Sequence, residues 1–229
     1  MNTPDWQTAL RGLLKESEIV DDAAALLIDQ RRRYTGQADM VVQPQSVAAV
    51  QAVMKFCHEH RIPVTPQGGN TGLCGAAVPA GGVLLNLSKL NRIRKLNLAD
   101  NAITVEAGCI LQTVQQAAAE VDRLFPLSLA SEGSCQIGGN LATNAGGTAV
   151  LRYGNARELC LGIEAVLPNG ELWNGLRGLC SAHLGFAGDG ALLRGAGVQS
   201  QQLLASAHAV SSLDMQGHHG TRHLAGDGG

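Results

Sequence analysis

Residues 131–148 read SEGSCQIGGNLATNAGGT, a run of small and amide-bearing residues too polar and too rich in glycine for a strand or a helix. Gly138, Gly139, Gly146 and Gly147 let the backbone take positive φ or pass within contact distance of a bound group. Between them Asn140, Thr143 and Asn144 offer amide and hydroxyl groups to a polar ligand. Residues 66–75, PQGGNTGLCG, have the same character, and the consecutive amides of Gly68, Gly69, Asn70, Thr71 and Gly72 can form a concave anion nest. Two such loops suggest a ligand gripped from two sides, anionic and rich in hydrogen-bonding groups, such as a dinucleotide pyrophosphate. A flexible surface loop is the alternative for either stretch taken alone.

Working outward, the chain before the second loop alternates helices and strands. Thr3-Pro4-Asp5 is a helix start, followed by Trp6, Leu10, Leu13 and Leu14 at helical spacing, and a second helix is expected from about residue 21 towards 32. A short strand at 40–43 is stopped by Pro44, and Ser46 is a plausible cap for a helix with Val47, Val50, Val53, Met54 and Cys57 on one face. Val64-Thr65 then leads straight into the first glycine loop, so that loop follows a strand's carboxyl end in a β-α-β unit, where ligands commonly sit. Strands are expected at 82–87 and 102–106, a helix from Ile110 through Val121, and two strands at 159–167 and 171–173 joined by Pro168-Asn169-Gly170. The mixture is α+β.

The 229 residues are enough for a sizeable core. A net charge of −2 with no basic block argues against nucleic acid, which needs clustered Lys and Arg. The N-terminus does not read as a signal peptide and no apolar run is long enough to span a membrane. Cys57, Cys74, Cys109, Cys135, Cys160 and Cys180 include no C-x-x-C pair and read as reduced, so the expected location is cytoplasmic, with a membrane-peripheral position left open.

Neither a G-x-x-x-x-G-K-[ST] loop nor a G-x-G-x-x-G turn occurs, which sets aside Walker and Rossmann sites. His58-Glu59-His60 is a metal-like fragment, but an i, i+2 pair splays around a helix, and an exposed helix end explains it. Glu132 is either a catalytic carboxylate or one that orders the second loop, and no partner base is visible beside it. Beyond residue 180 the chain lacks Ile, Lys, Pro, Trp, Tyr and Glu while holding His183, His208, His218, His219 and His223. Only 200–210 looks helical there, and the segment is expected to be poorly packed or disordered.

Five stretches, TPQGGNTGLCGAAVP, ITVEAGCILQTVQ, FPLSLASEGSCQIGGNLATNAGGT, VLRYGNARELCLGIEAVLPNGELW and NGLRGL, occur in one order across residues 36–179. Together they resemble the FAD-linked oxidases of the vanillyl-alcohol oxidase fold, nearest the D-2-hydroxyglutarate, D-lactate and glycolate dehydrogenases. The resemblance implies a PCMH-type FAD-binding domain of two α/β subdomains, at 34–98 and 99–179, incomplete at its C-terminal end. A helical lead-in at 1–33 precedes it and a divergent tail at 180–229 follows.

The resemblance places the flavin pyrophosphate against Gly68, Gly69, Asn70, Thr71 and Gly72, flanked by Pro66 and Leu73. It places the ribityl and isoalloxazine side against Gly133, Ser134, Gly138, Gly139, Asn140, Thr143, Asn144 and Gly146. A side chain at Gly69 is expected to block positive φ and to fill the pyrophosphate's space. Relatives with covalent flavin carry a histidine where Asn70 stands, so non-covalent FAD is implied. The implied chemistry is hydride transfer from the α-carbon of a D-2-hydroxy acid to flavin, with electrons passed to a separate acceptor.

Such relatives continue past NGLRGL with a closing strand, then a substrate domain bearing metal-binding and catalytic histidines. None of that sequence is present here, so no catalytic or metal residue is assigned. The tail instead resembles out-of-frame translation of a GC-rich gene, and it is expected to leave the flavin-domain sheet with an unpaired edge. Two functions therefore compete, a flavin-dependent dehydrogenase and an inactive truncated FAD-binding fragment.

Overall fold

The computed structural model describes residues 3–176, 208–214 and 216–217. Helix α1, Thr3–Arg11, buries Trp6 and Leu10, one turn apart, while Leu13 lies past its end and stays exposed. The second helix expected from residue 21 is reduced to one 3-10 turn, Ala24–Leu26. The reason is Asp29, whose buried carboxylate accepts from the backbone N–H groups of Arg31, Arg33 and Tyr34 at 3.2, 2.6 and 2.7 Å. These local bonds reverse the chain at Arg32, φ 56°, where a helix would have continued. The Tyr34 N–H above all, against the opposing effect of burial, holds the Asp29 carboxyl below its ordinary range.

The first sheet is parallel, with β3 (Val83–Asn86) between β1 (Met40–Val42) and β2 (Val64–Gln67). Met40 and Val64 both align with Val83, and Gln67 with Asn86. Helix α2, Val47–Glu59, makes the crossover from β1 to β2 and begins at Ser46, whose Oγ accepts from the Ala49 N–H at 3.1 Å. Val50, Val53, Met54 and Cys57 on α2 pack with Trp6 and Leu10 over Val83 and Leu85, which are fully buried as a central strand requires. Burial pushes the Cys57 thiol up to about 12, so it is an inert packing residue.

The second sheet is antiparallel. It contains β4 (Ile93–Asn97), β5 (Ala102–Val105), β7 (Cys160–Val166), β8 (Leu172–Asn174) and β9 (His208–Asp214), in the order β4-β5-β9-β7-β8. A separate two-stranded pair joins β6 (Arg123–Leu124) to β10 (Gln216–Gly217). Because β4 pairs with β5, residues 93–97 belong to the second sheet, although the sequence grouped them with the first subdomain, 34–98. Gly170, φ 85°, turns the β7–β8 hairpin, with the Leu167 N–H bonded to the Glu171 carbonyl at 2.8 Å. The core of this half gathers Ile103, Val105, Leu111, Val114, Phe125, Leu127, Ile137, Leu141 and Ile163.

Strand β9 corrects the expectation for 208–214, while 180–207, 215 and 218–229 of the tail lie outside the described residues. The segment 208–214 lies in the middle of the sheet, pairing with β5 through Ser211↔Val105 and with β7 through Ser211↔Ile163. Neighbours on both sides with open backbone donors and acceptors impose extended structure on a sequence whose own strand propensity is low. The helix expected at 200–210 is strand over 208–210, and 200–207 lie outside the described residues.

An ionic staple runs across this sheet. The Glu106 side chain, fully buried beyond β5, accepts from the Arg92 backbone N–H and Nη2, both at 2.9 Å, and from Arg94 Nε at 3.4 Å. Arg94 Nη1 reaches Glu164 on β7 at 2.8 Å, and Glu164 in turn accepts from Asn174 Nδ2 on β8 at 3.2 Å. Burial pushes the Glu106 carboxyl up, but the Arg92 hydrogen bonds and the Arg92 and Arg94 charges outweigh it and hold the group below its ordinary range.

Candidate functional site

The first glycine loop leaves the carboxyl end of β2 and is anchored there by buried amides. Gln67 donates through Nε2 to the carbonyls of Leu26 and Ala77 at 2.8 and 2.9 Å and accepts from Asn86 Nδ2 at 2.9 Å. Asn86 also donates to the Gly68 carbonyl at 3.3 Å and accepts from Gln43 Nε2 at 3.0 Å and from Ser88 Oγ at 2.6 Å. Gln43, Gln67 and Asn86 thus tie the ends of all three strands of the first sheet to the loop's first residue. Sequence reasoning passed over them; the available signal was amide side chains at successive strand ends.

Within the loop the left-handed conformation falls on Asn70, φ 51°, and at its end on Gly75, φ 73°, and not on Gly69. Asn70 Nδ2 is bonded to the Ile28 carbonyl at 2.8 Å, so it fastens the loop to the N-terminal segment. The requirement for glycine at 69 has a different origin from the positive φ expected. A Cβ there would stand 2.2 Å from the Ser134 carbonyl oxygen and 3.4 Å from Cys135 Cα, which are backbone atoms of the second loop. A Cβ at Gly68 would meet Gln136 Oε1 at 3.3 Å and the Gly139 nitrogen at 3.9 Å. The two glycine loops are therefore adjacent, edge to edge, along one seam.

The second loop contains helix α4, Ile137–Ala142, contrary to the expectation that it is neither helix nor strand. Ile137 and Leu141, four apart, are both buried in the core and fix the helix there. Gly138 faces the other chain segment so closely that a Cβ would lie 2.8 Å from Ala107 Cβ, so its glycine serves helix docking. Before α4, residues 135–138 run alongside 107–111, with bonds from Leu111 N to Cys135 O at 3.1 Å, Ile137 N to Cys109 O at 3.0 Å and Gly138 N to Ala107 O at 2.8 Å. Helix α3, Leu111–Ala119, follows directly, and burial pushes the Cys109 thiol beside it up to about 11.

Several groups proposed as ligand contacts have internal partners. Thr143 Oγ1 donates to the Gly139 carbonyl at 3.0 Å, Asn140 Nδ2 lies 3.5 Å from Cys135 Sγ, and Asn144 Oδ1 accepts from the Arg157 N–H at 3.1 Å. Arg157 closes α4 by donating to the carbonyls of Leu141 and Ala142 at 2.9 and 2.8 Å, a role the sequence did not reveal. Past α5 (Val150–Tyr153), a Cβ at Gly146 would lie 3.2 Å from Asn155 Oδ1, while one at Gly133 meets only Gln112 Oε1 at 3.4 Å. Glu132 accepts from Gln115 Nε2 at 3.3 Å and through its carbonyl from Gln112 N–H at 3.0 Å, which makes it a loop-ordering residue.

One position on the seam is open, since a Cβ at Gly139 would meet nothing within 4 Å beyond its own helix backbone. A Cβ at Gly72, further along the first loop, also meets nothing within 4 Å. In the first loop Pro66 and Thr71 are half-buried and Leu73 is exposed, and in the second Ser134 is exposed. Gln136, nine-tenths buried, has a side-chain oxygen without a hydrogen-bond partner among the described residues. A glycine-lined seam with open space and an orphaned acceptor fits an extended polar cofactor such as FAD. Clefts of about 450 and 490 Å³ beside α1 contain no residue of either glycine loop.

Comparison with known proteins gives the family. A family profile described as an FAD binding domain matches residues 38–175. The D-2-hydroxyglutarate–pyruvate transhydrogenase of Saccharomyces cerevisiae is 35% identical over 182 residues, 77% of this chain and 37% of that protein. The D-2-hydroxyglutarate dehydrogenase of Xanthomonas citri pv. viticola is 46% identical over 145 residues, 63% of this chain and 31% of that protein. The chain thus spans about a third of the length of the curated relatives it matches. A solved alkyldihydroxyacetonephosphate synthase shares the fold, with a TM-score of 0.74 at 16% identity over 93% of this chain and 44% of that one. With its two glycine loops joined along one seam and the profile covering most of the described residues, the chain belongs to the FAD-binding domain family of the vanillyl-alcohol oxidase fold.

Proposed function

We propose that this chain is the FAD-binding part of a dehydrogenase acting on D-2-hydroxy acids. The observation that carries it is the seam itself, where Gly68 and Gly69 abut Ser134, Gln136 and Gly139 and leave the Gly139 position open. In this reading FAD lies along the seam without a covalent bond, its pyrophosphate against residues 68–72 and its flavin end towards the second loop. Bound FAD supplies the hydride acceptor. The chain's own residues position it: Gln67 and Asn86 hold the first loop from below, and Arg157 and the core residues Ile137 and Leu141 hold the second. The relatives' names point to a D-2-hydroxy acid as hydride donor, and we assign electron transfer to a separate acceptor. Two lobes are proposed as expected from 34–98 and 99–179, except that the boundary is drawn before Ile93 because β4 pairs with β5. A cytoplasmic location, or a membrane-peripheral one, is proposed; no helix among the described residues is long and apolar enough to cross a membrane.

A second reading is favoured by the one-third coverage of the relatives: the chain alone binds FAD and does not turn over. One purification separates the two. Yellow protein that D-2-hydroxyglutarate, D-lactate or glycolate bleaches anaerobically, and that then reduces an added artificial acceptor, supports a catalytically competent chain. Yellow protein that none of them bleaches supports the binding fragment, and colourless protein that added FAD does not stabilise overturns both.

A further inference from the structure

The Gln136 side chain is the one feature of the seam that the fold does not account for. It is 8% exposed, and its Oε1 has no partner among the described residues although native proteins pair nearly all such atoms. Its neighbours hold it in place: the backbone bridges Ile110, Cys135 packs in the core and Ile137 opens α4. The oxygen points at the join of the loops, 3.3 Å from where a Cβ on Gly68 would stand, with the Gly139 nitrogen beyond. A buried unpaired acceptor costs stability, and a ligand that donates to it recovers that cost on binding.

Resting on the reading of the seam as the FAD site, we propose that Gln136 Oε1 accepts a hydrogen bond from a hydroxyl of the bound cofactor's sugar portion. A pyrophosphate has acceptor oxygens only and cannot satisfy this atom. Hydroxyls can, and FAD carries them on the ribityl chain and on the ribose. Gln136 is thereby a binding residue outside the glycine motifs, and it fixes which part of the cofactor crosses the join at Gly68 and Gly139. The opposite orientation of the amide, with Nε2 inward, would instead suit a phosphate oxygen, and the two orientations predict opposite effects of a negative charge.

The test compares the full chain with Q136M and Q136E, by thermal unfolding without ligand and by titration with FAD, FMN and ADP. Q136M removes the orphaned acceptor at similar volume, so the ligand-free protein should melt no lower than the parent, while FAD binding weakens about 3- to 10-fold, the worth of one hydrogen bond. Q136E keeps an acceptor and should bind FAD better than Q136M. Weakening of FMN but not ADP identifies a ribityl hydroxyl, and weakening of ADP but not FMN a ribose hydroxyl. Equal FAD affinity in parent and Q136M overturns the proposal while leaving the FAD site standing. A larger loss in Q136E than in Q136M also overturns it, in favour of a phosphate at this point. A lower melting temperature for ligand-free Q136M would show a structural role and overturn it as well. Failure of the parent to bind any of the three ligands defeats the FAD reading itself.

Discussion

Substituting Gly69 by alanine adds one methyl group at the narrowest point between the two loops. The new carbon would stand 2.2 Å from the Ser134 carbonyl oxygen, whereas ordinary contact begins at 3.4 Å, so the loops must part by about 1 Å. Neither wall is a pliable side chain. Ser134 N is bonded to the Ser131 carbonyl at 2.9 Å and Cys135 N to the same carbonyl at 2.7 Å, and on the other side Asn86 holds the Gly68 carbonyl. Overpacking of this kind costs about 1–3 kcal/mol. In a chain of this size that lowers the melting temperature by roughly 2–12 °C. Because the parted seam is also the proposed cofactor surface, FAD affinity should fall with it, by roughly tenfold or more for each 1.4 kcal/mol of binding lost. Differential scanning fluorimetry with and without FAD reads both quantities. An unchanged melting temperature together with unchanged FAD affinity would refute the account of why residue 69 is glycine.

Two further outcomes follow from the second sheet. Glu106 has a folded-state pKa below its unfolded value of 4.5, so its contribution to stability is present above that pH and is lost as pH falls through the folded value. Glu106→Gln should cost about 1–3 kcal/mol at pH 7, with the gap to the parent closing as pH falls through the lowered folded-state value, and urea unfolding that shows no gap at pH 7, or one that does not change with pH, would refute the charged staple. Proline at Ser211, in the middle of β9, removes a ladder donor between β5 and β7. It should destabilise the second sheet by about 1–3 kcal/mol, whereas hydrogen exchange in 102–105 and 160–166 as slow as in the parent would show that β9 does not close the sheet.

What was legible in the sequence was local. Ser46 caps α2 and Gly170 turns the β7–β8 hairpin because each is decided within a few residues. The two glycine loops, expected to grip one ligand, lie side by side at Gly68 and Gly69 against 134–139. The causes of individual glycines were not legible, since Gly69 answers to Ser134 and Gly138 to Ala107, partners far along the chain. Helix α4 was hidden by those same glycines, although Ile137 and Leu141 carry its i, i+4 signal. The helix expected from residue 21 gave way to Asp29, whose side chain competes for the backbone N–H groups that follow it. Strand β9 could not be foreseen from 208–214 alone because its pairing is imposed by β5 and β7.

The central claim is that FAD lies along the seam between the loops, and Gly139 tests it with least interference from folding. A Cβ at this position meets nothing within 4 Å beyond its own helix backbone, and it replaces a glycine inside a helix. Gly139→Leu should therefore leave the ligand-free melting temperature equal to or above that of the parent, since removing a helical glycine is worth about 0.5–1 kcal/mol. In a fluorescence titration with FAD the same variant should bind about 10- to 100-fold more weakly than the parent, because its side chain fills the cofactor's space. Equal FAD affinity in a Gly139→Leu protein that is folded as stably as its parent would contradict the placement of the cofactor on this seam.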